Sequence, residues 1–316
     1  MAKTTAKLVQ IPPDNIKRNP DNPRIIFREH EMQELLDSIH EVGIRVPITV
    51  YEDRQHYVLI DGERRWRCAT QLNLPEMPAI VHPKPTKLEN LLMMFNIHNV
   101  RVAWDLLPMA FKLREIRDLI TKEGQPTNHK HLATITGLSA PTVKRAFEIL
   151  DLPTRYRELL LEEAKKPKEK QEVTADLFVE ILKSRNVIEK YLPEVFETVT
   201  PQNYLDSMVA KYRAKTIPSV TAFRSVSKIA RAKRAGESPE NAEPVIVRLV
   251  RDQGFTVEDA YDQTVRRAYE YRDLTTRAEK LASEIKHYKS IRDMPEALRE
   301  VLRELRTELN RLFGRE

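Results

Sequence analysis

Residues 60–70 read IDGERRWRCAT, three arginines within four positions, preceded by the apolar run YVLI (57–60) and a turn at Asp61-Gly62. A short β-favouring run, a glycine turn and a helical pattern make a strand–turn–helix unit. Arg64, Arg65 and Arg67 then occupy the first turns of the helix, where free amide N–H groups and guanidinium forks together suit phosphate. The residues alone leave a second reading open, in which Glu63 pairs with Arg67 at i,i+4 on a solvated helix. Cys68 lines up with Ala69 and Leu72 on the core-facing stripe, which is the behaviour of a small buried hydrophobe rather than of a reactive thiol.

Around this unit lie the other strand-like runs of the chain, IRVPITVY (44–51), HYVLI (56–60) and MPAIVH (77–82), the first two joined by the polar turn EDRQ. Ahead of them EHEMQELLDSIHEVG carries Met32, Leu35, Leu36 and Ile39 at helical spacing and stops on Gly43. Residues 1–100 therefore read as an α+β domain. From Leu88 onward helical patterns dominate, broken at KEGQPTN (122–128), EAKKPKEKQ (163–171) and KTIPSV (215–220). Residues 101–235 read as an all-α domain, residues 236–244 (GESPENAEP) as a linker, and residues 245–316 as a helical C-terminal region. In the last region a long helix is expected from FTVEDAY, capped by Thr256 with Asp259, to about Ser290, with a break at DMP and a final helix after it. Leu274, Ala278, Leu281, Ile285 and Tyr288, and then Leu298, Leu302, Leu305, Leu309 and Leu312, alternate steps of four and three. That spacing predicts a seam for a helical hairpin completed by a second subunit.

Composition narrows the function classes. The 316 residues carry 53 Lys and Arg against 47 Asp and Glu, a formal +6, compatible with a polyanionic partner. One cysteine excludes an intramolecular disulfide framework and a multi-cysteine metal site. No apolar run approaches the ~20 residues of a membrane span, and MAKTTAKLVQ lacks the apolar segment of a signal peptide, so a cytoplasmic protein with no membrane partner is expected. His129 and His131 point to different helix faces and His98 has no neighbour in sequence, so no metal site is expected from the protein alone.

NHKHLATITGLSAPTVKRAFEILDLP (128–153) places Ala133, Gly137 and Val143 where a helix-turn-helix (129–150) needs a small residue, a positive-φ turn and a β-branched packing residue. Ser139 is a natural N-cap and Pro141 fits the first turn. Ser139, Ala140, Thr142, Lys144 and Arg145 would then face DNA, with Glu148 on the same side. Between Lys211 and Ala235 there are eight cations and no acidic residue, among them Lys211, Lys228 and Arg231. A run this one-sided reads as a phosphate-backbone track.

In sequence, GERRWRCA (62–69) resembles the GERRxRA motif of the ParB family of DNA-partition proteins. NPDNPRIIF (19–27) resembles that family's NPxxPRxxF element, LLDSIHEVGIRVPITV (35–50) its LxxSIxxxGxxxPIxV element, and ILDLPTRYRELL the end of its helix-turn-helix. The resemblance spans residues 8 to 162. It implies a ParB/sulfiredoxin-type N-terminal domain that binds CTP with Mg2+, gating a homodimeric clamp on palindromic double-stranded DNA, with a ParA-type ATPase as a further partner and the nucleoid or a plasmid as its place of action. By position, Gly62, Glu63, Arg64, Arg65 and Arg67 would hold the triphosphate, Gly43 and Pro47 would lie beside the cytosine, and Arg24 would be a neighbour. The family's ENxxR motif departs here. Phe95 stands for the glutamate, Asn96 is retained as the residue that would reach the nucleotide-bound metal, and Arg101 falls two positions late. Nucleotide binding is thus expected more than hydrolysis. The competing readings are a nuclease or ATP-using enzyme on the same fold, and a helix-turn-helix regulator with a vestigial pocket.

Overall fold

A computed structural model describes residues 7–98, 105–235 and 239–314. The chain divides into two units, 1–183 and 184–316, and the division falls inside a helix. In the first unit come β1 (Lys7–Ile11), β2 (Ile16–Lys17), α1 (Glu29–Val42), β3 (Ile48–Asp53), β4 (His56–Asp61), α2 (Glu63–Gln71), β5 (Met77–His82) and α3 (Lys87–His98). Then follow α4 (Leu106–Lys122), α5 (His129–Thr136), α6 (Ala140–Leu150), α7 (Thr154–Lys165) and α8 (Ala175–Tyr191), which runs into the second unit. That unit continues with α9 (Val195–Thr198), α10 (Pro201–Arg213), α11 (Phe223–Ile229), α12 (Ala232–Ala235), α13 (Pro239–Arg251), α14 (Val257–Thr264), α15 (Arg266–Ile285) and α16 (Glu296–Phe313).

The sheet is mixed, in the order β1-β5-β3-β4-β2. β3 lies at its centre, parallel to β5 and antiparallel to β4. Ile48, Val50, Leu59, Met77 and Ala79 fill one side against Ala69 of α2, with Ile11 and Ile16 closing the ends. Trp66 of α2 packs on the same cluster and donates its indole N–H to the Pro13 carbonyl at 3.0 Å. This anchorage fixes α2 with its N-terminus at the C-terminal end of β4. The β3–β4 turn bears a positive φ of 59° at Arg54, so the polar stretch EDRQ is a tight hairpin.

Two expectations need correction. Of residues 236–244, read as linker, 236–238 lie outside the described residues and 239–244 belong to α13, where Ala242 is fully buried. Pro239 opens that helix, where its missing N–H has no intrahelical partner to lose, so a proline-rich stretch is compatible with a helix start. The expected long helix from Thr256 is two helices, parted at Val265. The Thr256–Asp259 capping box itself is present. Leu274, Leu305, Leu309 and Leu312 are exposed and neither α15 nor α16 has a buried residue among those described, so the leucine rows stay open in the single chain, as a seam awaiting a second subunit would be.

Candidate nucleotide site and DNA-facing helices

The arginine helix begins at Gly62, with φ of 96°. A Cβ there would come within 2.5 Å of Ile48 Cγ2, so both the backbone conformation and the space require glycine. No side chain caps the first amides of α2. Its three arginines take different tasks. Arg65 donates from Nη1 to the carbonyls of Val46 and Pro47 (2.6 and 2.8 Å) and pairs with Asp61 at 2.8 Å, drawing the Gly43–Pro47 loop to the mouth of α2. Arg64 donates to the Glu31 carbonyl and lies 3.6 Å from its carboxylate, while its Nε is buried without a partner. Arg67 pairs with Glu63 at 2.6 Å and lies flat over Phe27, 4.0 Å from the ring centroid.

Glu63 does not face a ligand. Its side chain is 2% exposed, and its carboxylate accepts from Arg67, from Arg18 Nε at 3.0 Å and from Asn22 Nδ2 at 2.7 Å. These contacts give Glu63 a structural role, and a buried anion facing phosphate would repel it, which weighs against the expected triphosphate-holding role. Asn22 also accepts from the Arg24 amide, and Asn19 accepts from the Asp21 amide while donating to the Leu59 carbonyl and to Asn90. The asparagines of NPDNPRIIF thus fold that segment into a loop nailed to β4, α2 and α3. Sequence reasoning gave Arg18, Asn19, Asn22, Glu31 and Asn90 no role. The available signal was the doubled Asn-Pro pattern, a turn former whose Asn side chains bond nearby backbone.

The loop delivers Arg24. Among the described residues its guanidinium has no hydrogen-bond acceptor, and burial, followed by the charge of Arg64, lowers its pKa from the ordinary arginine value. The carboxylates of Glu31 and Asp105 act in the opposite direction, so Arg24 sits in a mixed field of cations and anions whose balance an added phosphate would shift. The residues do not fit a protein-held metal. Phe95 is 1% exposed, so the place of the family's glutamate is a core position, and Asn96 is exposed on α3. Asn99 and Arg101 lie outside the described residues. Cys68 is buried and donates weakly to the Met32 carbonyl, and burial raises the thiol pKa despite Arg64 nearby, which leaves it a packing residue.

α5 and α6 form the helix pair expected at 129–150. Asn128 caps α5 by accepting from the His131 amide, Gly137 turns with φ of 73°, and Ser139 caps α6 by accepting from the Thr142 amide. Ala133, Val143, Ala146 and Ile149 are buried, as are Leu113, Ile116 and Ile120 of α4. The opposite face of α6 leaves Lys144 exposed and Ala140, Thr142, Arg145 and Glu148 partly so.

In the second unit the basic run is not uniform. Lys211 is fully buried and donates to the carbonyls of Asp252, Gln253 and Phe255 at 2.6, 3.2 and 2.6 Å, so it closes the turn after α13 and is removed from the phosphate track. Lys228 is exposed but lies 5.3 Å from both the Tyr261 and Tyr269 rings, and Arg231 lies 5.8 Å from Tyr191. These two cations are engaged with aromatic faces.

With this geometry in place, the first 99 residues match the ParB N-terminal domain. The N-terminal domain belongs to the ParB family. The chain is 33% identical to the nucleoid occlusion protein of Oceanobacillus iheyensis over 165 residues, 51% of this chain and 55% of that protein. It is 32% identical to the chromosome-partitioning protein Spo0J of Thermus thermophilus over 160 residues, 51% and 57% of the two chains. The match thus spans little more than half the length of these relatives. A C-terminally truncated ParB of Caulobacter crescentus, solved with CTP-gamma-S, shares 29% identity over 49% of this chain and 85% of its own, with a TM-score of 0.29. The match ends at residue 99, just past α3, and the elements described beyond it are helices. Among the described residues, no helix is long and apolar enough to cross a membrane.

Proposed function

We propose that the protein is a ParB-type DNA-binding clamp in which the N-terminal domain binds CTP and the α5–α6 pair reads a specific duplex. The observation that carries the nucleotide half is the pairing of two features, the N-terminus of α2 left without a side-chain cap at Gly62 and the cluster of cations on and near it, Arg64 on α2 and Arg24 within its electrostatic reach. In this reading Arg24 and Arg64 hold phosphate oxygens, Gly62 lets the chain approach closely, and Arg65 keeps the Val46–Pro47 carbonyls in place beside the base. A bound CTP supplies the negative charge that relieves the Arg24–Arg64 repulsion and so favours one arrangement of the loop. Phe95 leaves α3 without a carboxylate at the family's metal position, which favours holding the nucleotide over cleaving it. The clamp is a homodimer on palindromic DNA, serves chromosome or plasmid segregation or nucleoid occlusion, and takes a ParA-type ATPase as partner.

Calorimetry with CTP, ATP and GTP, with and without DNA, tests the assignment. Arg24→Ala and Arg64→Ala should each weaken CTP binding by about 1.5–3 kcal/mol, the range for a hydrogen bond to a charged group. Unchanged affinity in both variants would remove the pocket assignment, and a wild-type protein that binds none of the three nucleotides would remove the nucleotide half altogether.

A further inference from the structure

Arg145, on the open face of α6, is ion-paired through Nη2 to Oδ1 of Asp176 in the first turn of α8, outside the helix pair. The two side chains are 40% and 72% exposed, and the Nε of Arg145 is buried without a partner. The neighbouring cation Lys144 has Glu148 at 3.7 Å. Each cation on this face therefore has a carboxylate beside it, in a segment otherwise suited to meet a polyanion. As a stabilising contact an exposed pair contributes little, ~0–1 kcal/mol. Its electrostatic effect on an approaching ligand differs by ligand. Towards a phosphate the pair is close to neutral, and the exposed Asp176 carboxylate is repelled by the backbone. Towards an uncharged base edge no such repulsion arises. A guanidinium has five N–H donors in a rigid fork, so one edge held by a carboxylate leaves others free and fixed in direction.

Resting on the DNA-binding reading of α5–α6, we infer that Asp176 is a specificity-determining residue that acts through Arg145. It holds the guanidinium for a base edge presenting two acceptors, the chemistry of guanine in the major groove, and discounts contact with phosphate. Asp176 is a positioning residue, and Arg145 makes the contact.

The test uses the full chain and a duplex selected by it from a random-sequence library, with a shuffled duplex of the same composition as reference. The readout is the ratio of the two dissociation constants, which partial unfolding of a preparation does not move. Asp176→Asn should lower that ratio at least tenfold, with tighter binding to the shuffled duplex as part of the change, and Asp176→Glu should restore most of it. In an Arg145→Ala background Asp176→Asn should leave the ratio unchanged. The inference is overturned if Asp176→Asn keeps the wild-type ratio, or if it lowers the ratio equally without Arg145. A wild-type chain that selects no sequence at all sinks the DNA reading itself, and the inference with it, by a result distinct from the other two.

Discussion

Glu63 joins three segments that are distant in sequence. One carboxylate of α2 gathers Arg18 and Asn22 from the loop before α1 and Arg67 from its own helix. Arg18 and Arg67 are 47% and 37% exposed, so removing the negative charge strands no cation in a dry interior, and the loss falls short of that for a fully buried pair. Glu63→Gln should therefore lower the unfolding free energy by about 1–3 kcal/mol in urea titration. It should also loosen Arg24, so CTP affinity should fall even where the protein is fully folded. A variant with wild-type stability would show that the three contacts do not act together. The sequence suggested the i,i+4 pairing of Glu63 with Arg67 and a phosphate site as alternatives. The structure shows the pairing, taken by Arg67, and that pairing leaves the proposed phosphate role to the other cations, Arg64 beside Glu31 and Arg24. The division of labour among adjacent arginines depends on the direction of each side chain, and a linear motif does not contain that information.

At the scale of elements, two charged stretches that read as surface carry buried groups. Glu163, at the end of α7, is buried and accepts from Lys166 Nζ and from the Glu172 amide at 2.8 Å, so the charged loop after α7 is wrapped around a carboxylate. Burial alone would raise its pKa, but these bonds outweigh it and hold the carboxyl below its ordinary value. A depressed carboxylate stabilises the fold fully above the unfolded value near ~4.3, and the contribution disappears as pH falls through the lower folded value. The stability gap between wild type and Glu163→Gln, measured in urea, should accordingly be open at neutral pH and close in acid. A gap independent of pH would mean that packing rather than charge is at stake. Lys211 is the second case. Lys211→Met should cost about 1–3 kcal/mol in melting experiments, because three carbonyls, that of Phe255 buried, lose their donor. The strands and the helix pair were legible beforehand, since β3, β4, α5 and α6 rest on local signals: alternation, a polar turn, a positive-φ glycine and a Ser cap. Lys211 and the start of α13 were not, because their partners stand about 40 residues away or their prolines mimic a linker.

At the scale of the whole chain, Val265 is fully buried, α15 and α16 beyond it contribute no buried residue among those described, and only Met294 in the turn between them is buried. A truncation near Glu243 would cut through α13 and remove the turn that Lys211 closes, so it would report unfolding as well as association. Ending the chain after Asp273 keeps Tyr261 and Tyr269 over Lys228. That shortened protein should melt close to the wild type and sediment as a monomer if the leucine rows of α15 and α16 join two copies. A shortened protein that remains a dimer would place the contact elsewhere.

The burial of Lys211 also bears on how tightly this protein would follow ionic strength. Each cation that neutralises a DNA phosphate releases a counterion and adds about 0.9 to the slope of log affinity against log salt. Lys211 is sealed under the Asp252–Phe255 turn and releases none, so the basic run should give a shallower salt dependence than its count of positive charges suggests. A weaker grip on anonymous DNA follows, and with it a larger share of the binding left to the base-reading helix.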